Sequence, residues 1–245
     1  MASAAAEEVL AILRAAVRAR GQAAVALAGG STPRRLFEEL AARGPRAAPW
    51  SKVQLWWGDE RAVPPEHADS NYGMARRALI DPLGLDDAQV HRMHGERDDL
   101  EGAAASYEAA LVAARGAPPV FDLILLGLGS DGHTASLFPE SPALAHGADP
   151  DDQARTAATS RWVVANPVDS PLTRGATTRL TLTARTINEA RHVRFVVTGA
   201  DKAEALAAIL EGPRDPRRYP AQLIAPRGDL AWFVDAAAAA RLTEL

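Results

Sequence analysis

His133 is the residue of this chain whose type and surroundings best suit acid–base chemistry. It lies in the segment Asp131-Gly132-His133-Thr134, directly after a strongly apolar run at 121–126. A neutral imidazole accepts a proton near pH 7, and a neighbouring carboxylate can orient the ring and favour its charged form. We therefore predict a general acid–base role for His133, with Asp131 as the neighbouring carboxylate.

A glycine-rich segment after the first apolar run has the composition of an anion site. The run at 24–27 leads into this segment, and an amphipathic helix follows it. Glycines let a ligand approach the backbone, while free amides and the positive end of the helix dipole favour an anion. We predict that a phosphate monoester binds here, with Thr32 capping the helix and Pro33 in its first turn. The predicted binding residues are Gly29, Gly30, Ser31 and Thr32.

Lys202 is a further candidate ligand for the same phosphate. It opens a helix in the segment Thr198-Gly199-Ala200-Asp201-Lys202, after the apolar run that begins at 193. A cation at a helix N-terminus opposes the helix dipole, so its position is easier to explain beside a bound anion. We expect Lys202 to contact the phosphate.

Two arginines and an aspartate complete the set of candidate residues. Asp59 and Arg61 directly follow the apolar run at 53–57, which we expect to be a buried strand. Charged residues at the end of such a strand usually have a partner, such as a bound ligand. Arg179 opens an alternating segment at 179–183 that would aim it inward. A guanidinium can hold a phosphate in a fork or offset the charge of an oxyanion. The sequence leaves open which arginine meets which charge.

The segment 127–132 also matches the Gly-x-Gly-x-x-Gly pattern of dinucleotide-binding proteins. That pattern needs a long helix and then a second strand with an acidic residue about 20 positions further on. Pro139 ends any helix within about two turns, and a loop lies where the second strand is required. The match therefore does not predict nicotinamide binding.

Short apolar runs alternate with helical segments along the chain, which is typical of an α/β fold. Runs apolar on both faces indicate strands covered by helices on each side, and ligands bind at the carboxyl ends of such strands. No repeat is present, and Pro139–Asp152 has the composition of a surface loop. We predict one domain over 1–245, a three-layer α/β/α sandwich with a mostly parallel sheet. The runs are 24–27, 53–57, 121–126, 162–165, 193–198 and 230–234.

The composition excludes several classes of protein. The 245 residues include no cysteine, which removes disulfides, thiolate zinc sites and cysteine nucleophiles and agrees with a reducing compartment. A net charge of -4, with both signs scattered along the chain, offers no basic field for a nucleic-acid backbone. Neither a run of 18 apolar residues nor an export signal is visible. We expect a cytoplasmic enzyme, a monomer or small homo-oligomer, with no nucleic-acid or membrane partner.

Five motifs follow one another along the chain between about Gln22 and Asp235. They are the segments 29–33, 57–61, 70–72, 127–139 and 198–202. Together they resemble the 6-phosphogluconolactonase family. The resemblance implies the Rossmann-like three-layer fold of glucosamine-6-phosphate deaminase and no metal or organic cofactor. It also implies a sugar-phosphate substrate, 6-phospho-D-glucono-1,5-lactone, hydrolysed to 6-phospho-D-gluconate in the second step of the oxidative pentose phosphate pathway. The site residues it implies are Asp59, Arg61, Asp131, His133 and Arg179. In that reading His133 is the base, and either Asp131 or Asp59 orients its ring.

Two alternatives remain at this stage. A deaminase/isomerase would use Asp59 to move a proton at C2 of an amino sugar phosphate, but Arg61 and the segment 136–138 differ from the residues that deaminases usually carry there. A non-catalytic sugar-phosphate sensor would need a DNA-binding segment, and we expect none outside the matched range. The stretch 166–171 before Arg179 departs from the lactonase pattern, so the resemblance alone does not place Arg179.

Overall fold

The computed structural model describes residues 1–146, 161–173 and 175–243. Within these ranges the α-helices are α1 Ala2–Arg20, α2 Ser31–Ala42, α3 Asn71–Ala75, α4 Asp81–Leu83, α5 Leu100–Arg115, α6 Ala184–Asn188 and α7 Ala203–Leu210. The strands are β1 Ala23–Leu27, β2 Val53–Trp57, β3 Asp59–Arg61, β4 Leu123–Leu126, β5 Val163–Ser170, β6 Gly175–Leu182, β7 His192–Val197 and β8 Asp229–Val234. A π-helical turn at Arg76–Ile80 joins α3 to α4. The second half of the loop predicted at Pro139–Asp152 lies outside the described residues.

Short 3-10 helices complete the regular structure of the described ranges. They are Trp50–Lys52, Asp87–Gln89, Pro142–His146, Pro171–Thr173, Ala200–Lys202 and Pro220–Leu223. Lys202 is thus the last residue of a 3-10 turn and directly precedes α7, close to the predicted helix start.

Five strands form a parallel sheet in the order β2-β1-β4-β7-β8, which confirms the predicted α/β class. β1 and β4 are buried along their whole length, as their continuous apolar runs predict. Because these strands are parallel, the carboxyl ends of β1, β4 and β7 lie at one edge of the sheet. The glycine loop, the His133 segment and the approach to Lys202 therefore leave the sheet side by side.

A second, antiparallel sheet of three strands in the order β3-β6-β5 was not predicted. The apolar run at 162–165 belongs to β5 of this sheet, and Pro167 fits there because β5 is an edge strand. The stretch that departs from the family pattern is thus the outer strand of a hairpin. In the β3–β6 ladder, Arg61 pairs with Arg179, which fixes the position of Arg179.

Gly58 is the one residue between β2 and β3, and it joins the two sheets. Its N–H donates to the carbonyl of Leu27 at the end of β1, at 2.9 Å. Its carbonyl accepts from the N–H of Leu182 at the end of β6, at 2.8 Å. The chain therefore passes from one sheet to the other through a residue that is hydrogen-bonded to both.

The helices cover the sheets with their apolar faces. α1 buries Val9, Leu10 and Leu13 at helical spacing and packs on α2, while α5 packs on β5 and β6. Most of the buried apolar side chains in the described ranges form one continuous cluster. None of the helices in the described ranges has the length and apolar character that crossing a membrane requires.

Candidate active site

A cleft of about 260 Å³ lies at the carboxyl ends of β1, β4 and β7, with the second sheet as its other wall. It brings together nine of the ten predicted site residues; the tenth, Asp131, contacts the cleft through His133. The nine lining residues are Gly29, Gly30, Ser31, Thr32, Asp59, Arg61, His133, Arg179 and Lys202.

His133 and Asp131 form a hydrogen-bonded pair in the loop after β4. The Asp131 carboxylate lies 2.6 Å from His133 Nδ1, and the same oxygen accepts the backbone N–H of His133 at 3.0 Å. Burial alone would raise the pKa of Asp131, but the hydrogen bonds and charge of His133 outweigh it, so this pKa is lowered. An ionised carboxylate only accepts hydrogen bonds, so Nδ1 carries the ring proton and Nε2 is left as the acceptor.

Phe138 packs against the His133–Asp131 pair from the other side. Its ring stacks on the imidazole of His133, with centroids 4.1 Å apart and an interplanar angle of 19°. Phe138 is buried and also lines the cleft. The imidazole is therefore fixed by a carboxylate at its edge and by an aromatic ring at its face.

Asp59 does not orient His133, although the sequence allowed either aspartate. One carboxylate oxygen of Asp59 accepts from the Ser136 hydroxyl at 2.8 Å, and the other accepts from the Asn71 amide at 3.1 Å. Asp59 is buried between these donors. It links the second sheet to the segment that carries His133, because Ser136 lies three residues after His133.

The guanidinium groups of Arg61 and Arg179 add positive charge to the wall opposite the parallel sheet. Burial lowers the pKa of Arg179, and the charge of Arg61 lowers it further, while Asp59 acts in the opposite direction. Arg61 donates from Nη1 to the carbonyl of Asp69 at 2.8 Å, and its buried Nε makes no hydrogen bond to the described residues. Two adjacent guanidinium groups in a cleft favour an anionic ligand or an oxyanion.

The glycine loop leads into α2 as predicted, but the helix cap differs. Gly30, with a φ of 100°, precedes the first residue of α2, so the prediction of Thr32 as the cap is wrong. The reason is a tertiary contact: the Thr32 hydroxyl lies 2.6 Å from the hydroxyl of Thr198, just after β7. The loop is thereby tied to the strand exit that leads to Lys202. Pro33 lies in the first turn, as expected.

Lys202 lines the cleft from the start of α7. Its ammonium group pairs with the exposed carboxylate of Asp201 at 2.9 Å. Together with the free amides at the start of α2 and the hydroxyls of Ser31 and Thr32, it forms a set of donors suited to a phosphate. No group of three or more metal-ligating side chains is found in the described part of the chain.

Glu60 is a buried acid that the sequence analysis did not single out. It accepts from the backbone N–H groups of Arg61, Asn71 and Tyr72 at 2.7–2.8 Å, and from the Ser70 hydroxyl at 3.1 Å. Burial raises the pKa of Glu60, although these backbone hydrogen bonds act against the rise. Glu60 thus fixes the start of α3 on β3. Its position in a charged triplet gave no sign of this role, because its partners lie about ten residues further on.

Known proteins resemble this chain over most of its length. A family model described as glucosamine-6-phosphate isomerases/6-phosphogluconolactonase matches residues 1–232. The 6-phosphogluconolactonase of Synechocystis sp. is 44% identical in an alignment of 224 residues that covers 90% of this chain and 85% of that protein. The 6-phosphogluconolactonase of Mycobacterium tuberculosis is 39% identical in an alignment of 249 residues, gaps included, that covers 99% of this chain and 94% of that protein.

Solved structures share the fold. The 6-phosphogluconolactonase from Trypanosoma cruzi superposes with a TM-score of 0.80 at 30% identity, covering 99% of this chain and 92% of that one. A monomeric glucosamine-6-phosphate deaminase superposes with a TM-score of 0.76 over 99% of this chain and 97% of that one. Its identity of 19% makes it evidence for the fold alone.

Proposed function

The chain belongs to the glucosamine-6-phosphate isomerase/6-phosphogluconolactonase family, and from this premise we propose how its cleft opens a sugar-phosphate lactone. The reaction is hydrolysis of 6-phospho-D-glucono-1,5-lactone to 6-phospho-D-gluconate, the second step of the oxidative pentose phosphate pathway. The observation that carries the proposal is the His133–Asp131 pair at 2.6 Å in the same cleft as an anion-binding loop.

His133 acts as the general base in this proposal. Its Nε2 takes a proton from the water whose oxygen attacks C1 of the lactone, and Asp131 stabilises the imidazolium that forms. When the bond between C1 and the ring oxygen breaks, the imidazolium returns the proton to that oxygen, which becomes a hydroxyl group. General-base help of this kind contributes about 10²- to 10⁴-fold to the rate.

The remaining residues divide between the two ends of the substrate. The phosphate lies on the glycine loop and Lys202, where it supplies binding energy remote from the carbonyl. Arg61 and Arg179 offset the negative charge on the carbonyl oxygen in the tetrahedral intermediate. Asp59 holds the two walls together through Ser136 and Asn71 and limits the net positive charge beside the arginines.

Two features of the site favour lactone hydrolysis over deamination. The chain has Leu137 and Phe138 in the segment where a deaminase would keep an additional carboxylate for proton transfer between C1 and C2, and the Phe138 ring stacks on His133. Asp59 accepts two hydrogen bonds from neutral donors, so its carboxylate is committed to positioning rather than to moving a proton.

The test is the activity of His133→Ala measured beside that of the wild type. Timed disappearance of 6-phosphogluconolactone, corrected for spontaneous hydrolysis, should show kcat lowered by about 10² or more in the variant. Turnover like that of the wild type would refute His133 as the base. A wild-type rate no higher than spontaneous hydrolysis would refute the function itself.

We further propose that residues 1–245 act as one domain, which the single continuous cluster of buried side chains supports. A cytoplasmic location and a monomer or small homo-oligomer stay predictions from the sequence, as does the absence of a metal or organic cofactor.

A further inference from the structure

Asn71 is a buried polar residue that touches both walls of the cleft. It is the first residue of α3 and is 1% exposed. Its Nδ2 donates to the main-chain carbonyl of Asp59 at 2.9 Å and to the Asp59 carboxylate at 3.1 Å. The side chain is therefore fixed to the second sheet by two hydrogen bonds.

The same side chain fills the space beside Gly29. A Cβ placed on Gly29 would lie 1.8 Å from Asn71 Oδ1, and its three nearest neighbours would all be atoms of the Asn71 side chain. Gly29 is not among the residues with a positive φ. The Asn71 side chain, and not the backbone conformation, is therefore what excludes a larger residue at position 29.

The main chain of Asn71 is held as firmly as its side chain. Glu60 accepts the backbone N–H of Asn71 at 2.7 Å and that of Tyr72 at 2.8 Å. Ser70 caps α3 by accepting the N–H of Gly73 at 3.0 Å, and its hydroxyl also donates to Glu60. Asn71 thus presents its amide to Gly29 from a rigid support.

We propose that Asn71 is a positioning residue for the phosphate site, which rests on the proposed function because the glycine loop is the proposed phosphate ligand. Its amide sets the distance between the first residue of the loop and Asp59. The loop amides then face the phosphate while the lactone carbonyl reaches His133. Removal of the Asn71 side chain leaves the donors in place but frees the loop to shift.

The first test separates binding from chemistry. Asn71→Ala should raise KM for 6-phosphogluconolactone by about 10-fold or more, with a smaller fall in kcat because Ser136 still holds Asp59. Inorganic phosphate, used as a competitive inhibitor, should lose affinity by a similar factor. A variant with unchanged KM and unchanged phosphate inhibition would overturn the proposal.

The second test is a double-mutant cycle between positions 29 and 71. Gly29→Ala should raise KM by about 10-fold or more in the wild type but by less than about twofold in Asn71→Ala, where the obstructing side chain is gone. Gly30→Ala is the matched control, because a Cβ there meets nothing within 4 Å and its obstacle is a φ of +100°. Its effect should be the same in both backgrounds.

The melting temperatures of the same variants provide a second double-mutant cycle, which does not depend on activity. Gly29→Ala should lower the melting temperature in the wild type and not in the Asn71→Ala background. If Gly29→Ala fails to fold, folding of the Gly29→Ala/Asn71→Ala double variant supports the contact, and its failure refutes it. Equal costs in both backgrounds would overturn the inference, whereas absent wild-type turnover would overturn only the proposed function.

Discussion

Replacement of Asp131 by asparagine isolates the contribution of the carboxylate that holds the proposed base. The substitution keeps the size of the side chain and an oxygen that can accept the backbone N–H of His133, which Asp131 accepts at 3.0 Å. What it removes is the negative charge 2.6 Å from Nδ1. The fold should therefore survive while the support of the imidazolium is lost.

The size of the effect follows from the type of hydrogen bond. A hydrogen bond to a charged group contributes about 1.5 to 3 kcal/mol, which corresponds to a fall in kcat of about 10- to 150-fold. KM should change little, because Asp131 does not line the cleft. Burial acts to raise the pKa of Asp131, and the hydrogen bonds and charge of His133 outweigh it, so the carboxylate beside Nδ1 is ionised.

The assay is the timed disappearance of 6-phosphogluconolactone between about pH 4 and pH 8, corrected at each pH for spontaneous hydrolysis. The matched control is Asp229→Asn, since Asp229 forms a similar pair with His192 at the start of β7, far from the carboxyl end of that strand. The control should leave kcat unchanged. An Asp131→Asn variant with wild-type kcat would refute the argument that this carboxylate supports the base.

Three further results are expected. Lys202→Ala should raise KM for the phosphorylated lactone by an amount equivalent to about 1.5 to 3 kcal/mol, while Lys52→Ala, at the exposed second lysine, should not; equal KM values in the two variants would place the phosphate elsewhere. Glucosamine 6-phosphate should release no ammonia above background, and release at a rate comparable to lactone opening would support the deaminase reaction. Burial raises the pKa of Glu60, so the folded state binds more protons than the unfolded state above pH 4.5 and loses stability as pH rises through that window. Urea unfolding of wild type and Glu60→Gln should therefore show that, as pH rises from about 4.5, the wild type loses unfolding free energy relative to the variant. A difference in unfolding free energy that does not change with pH would contradict this.

The parts of the site predicted from the sequence are those set by local geometry. His133 and Asp131 are two residues apart, so a single loop brings them together. The glycine loop and α2 are likewise neighbours in sequence, and the parallel sheet places their strand beside that of His133. The spacing of apolar residues and the positions of glycine and proline were therefore enough to predict the α/β class. They also predicted that the main candidate residues lie at one edge of the sheet.

The parts that were missed depend on contacts between distant segments. β3 pairs with β6 across about 120 residues, and three residues of β3 are too few to show an alternating pattern. Thr32 has the side chain of a helix cap, but its hydroxyl is used by Thr198, 166 residues further on. Asn71 and Glu60 are buried polar residues whose partners become visible only once β3 and α3 are packed together.

The joint at Gly58 has a consequence for how the enzyme meets its substrate. Its two main-chain hydrogen bonds reach β1 on one side and β6 on the other, so the wall with the glycine loop and the wall with the arginines cannot swing apart as independent lids. Substrate entry then requires little more than side-chain adjustment, and the rate of turnover should be insensitive to solvent viscosity beyond the diffusional encounter itself. In this chain, affinity would then be changed by exchanging residues that line the cleft rather than by changing the speed of a domain closure.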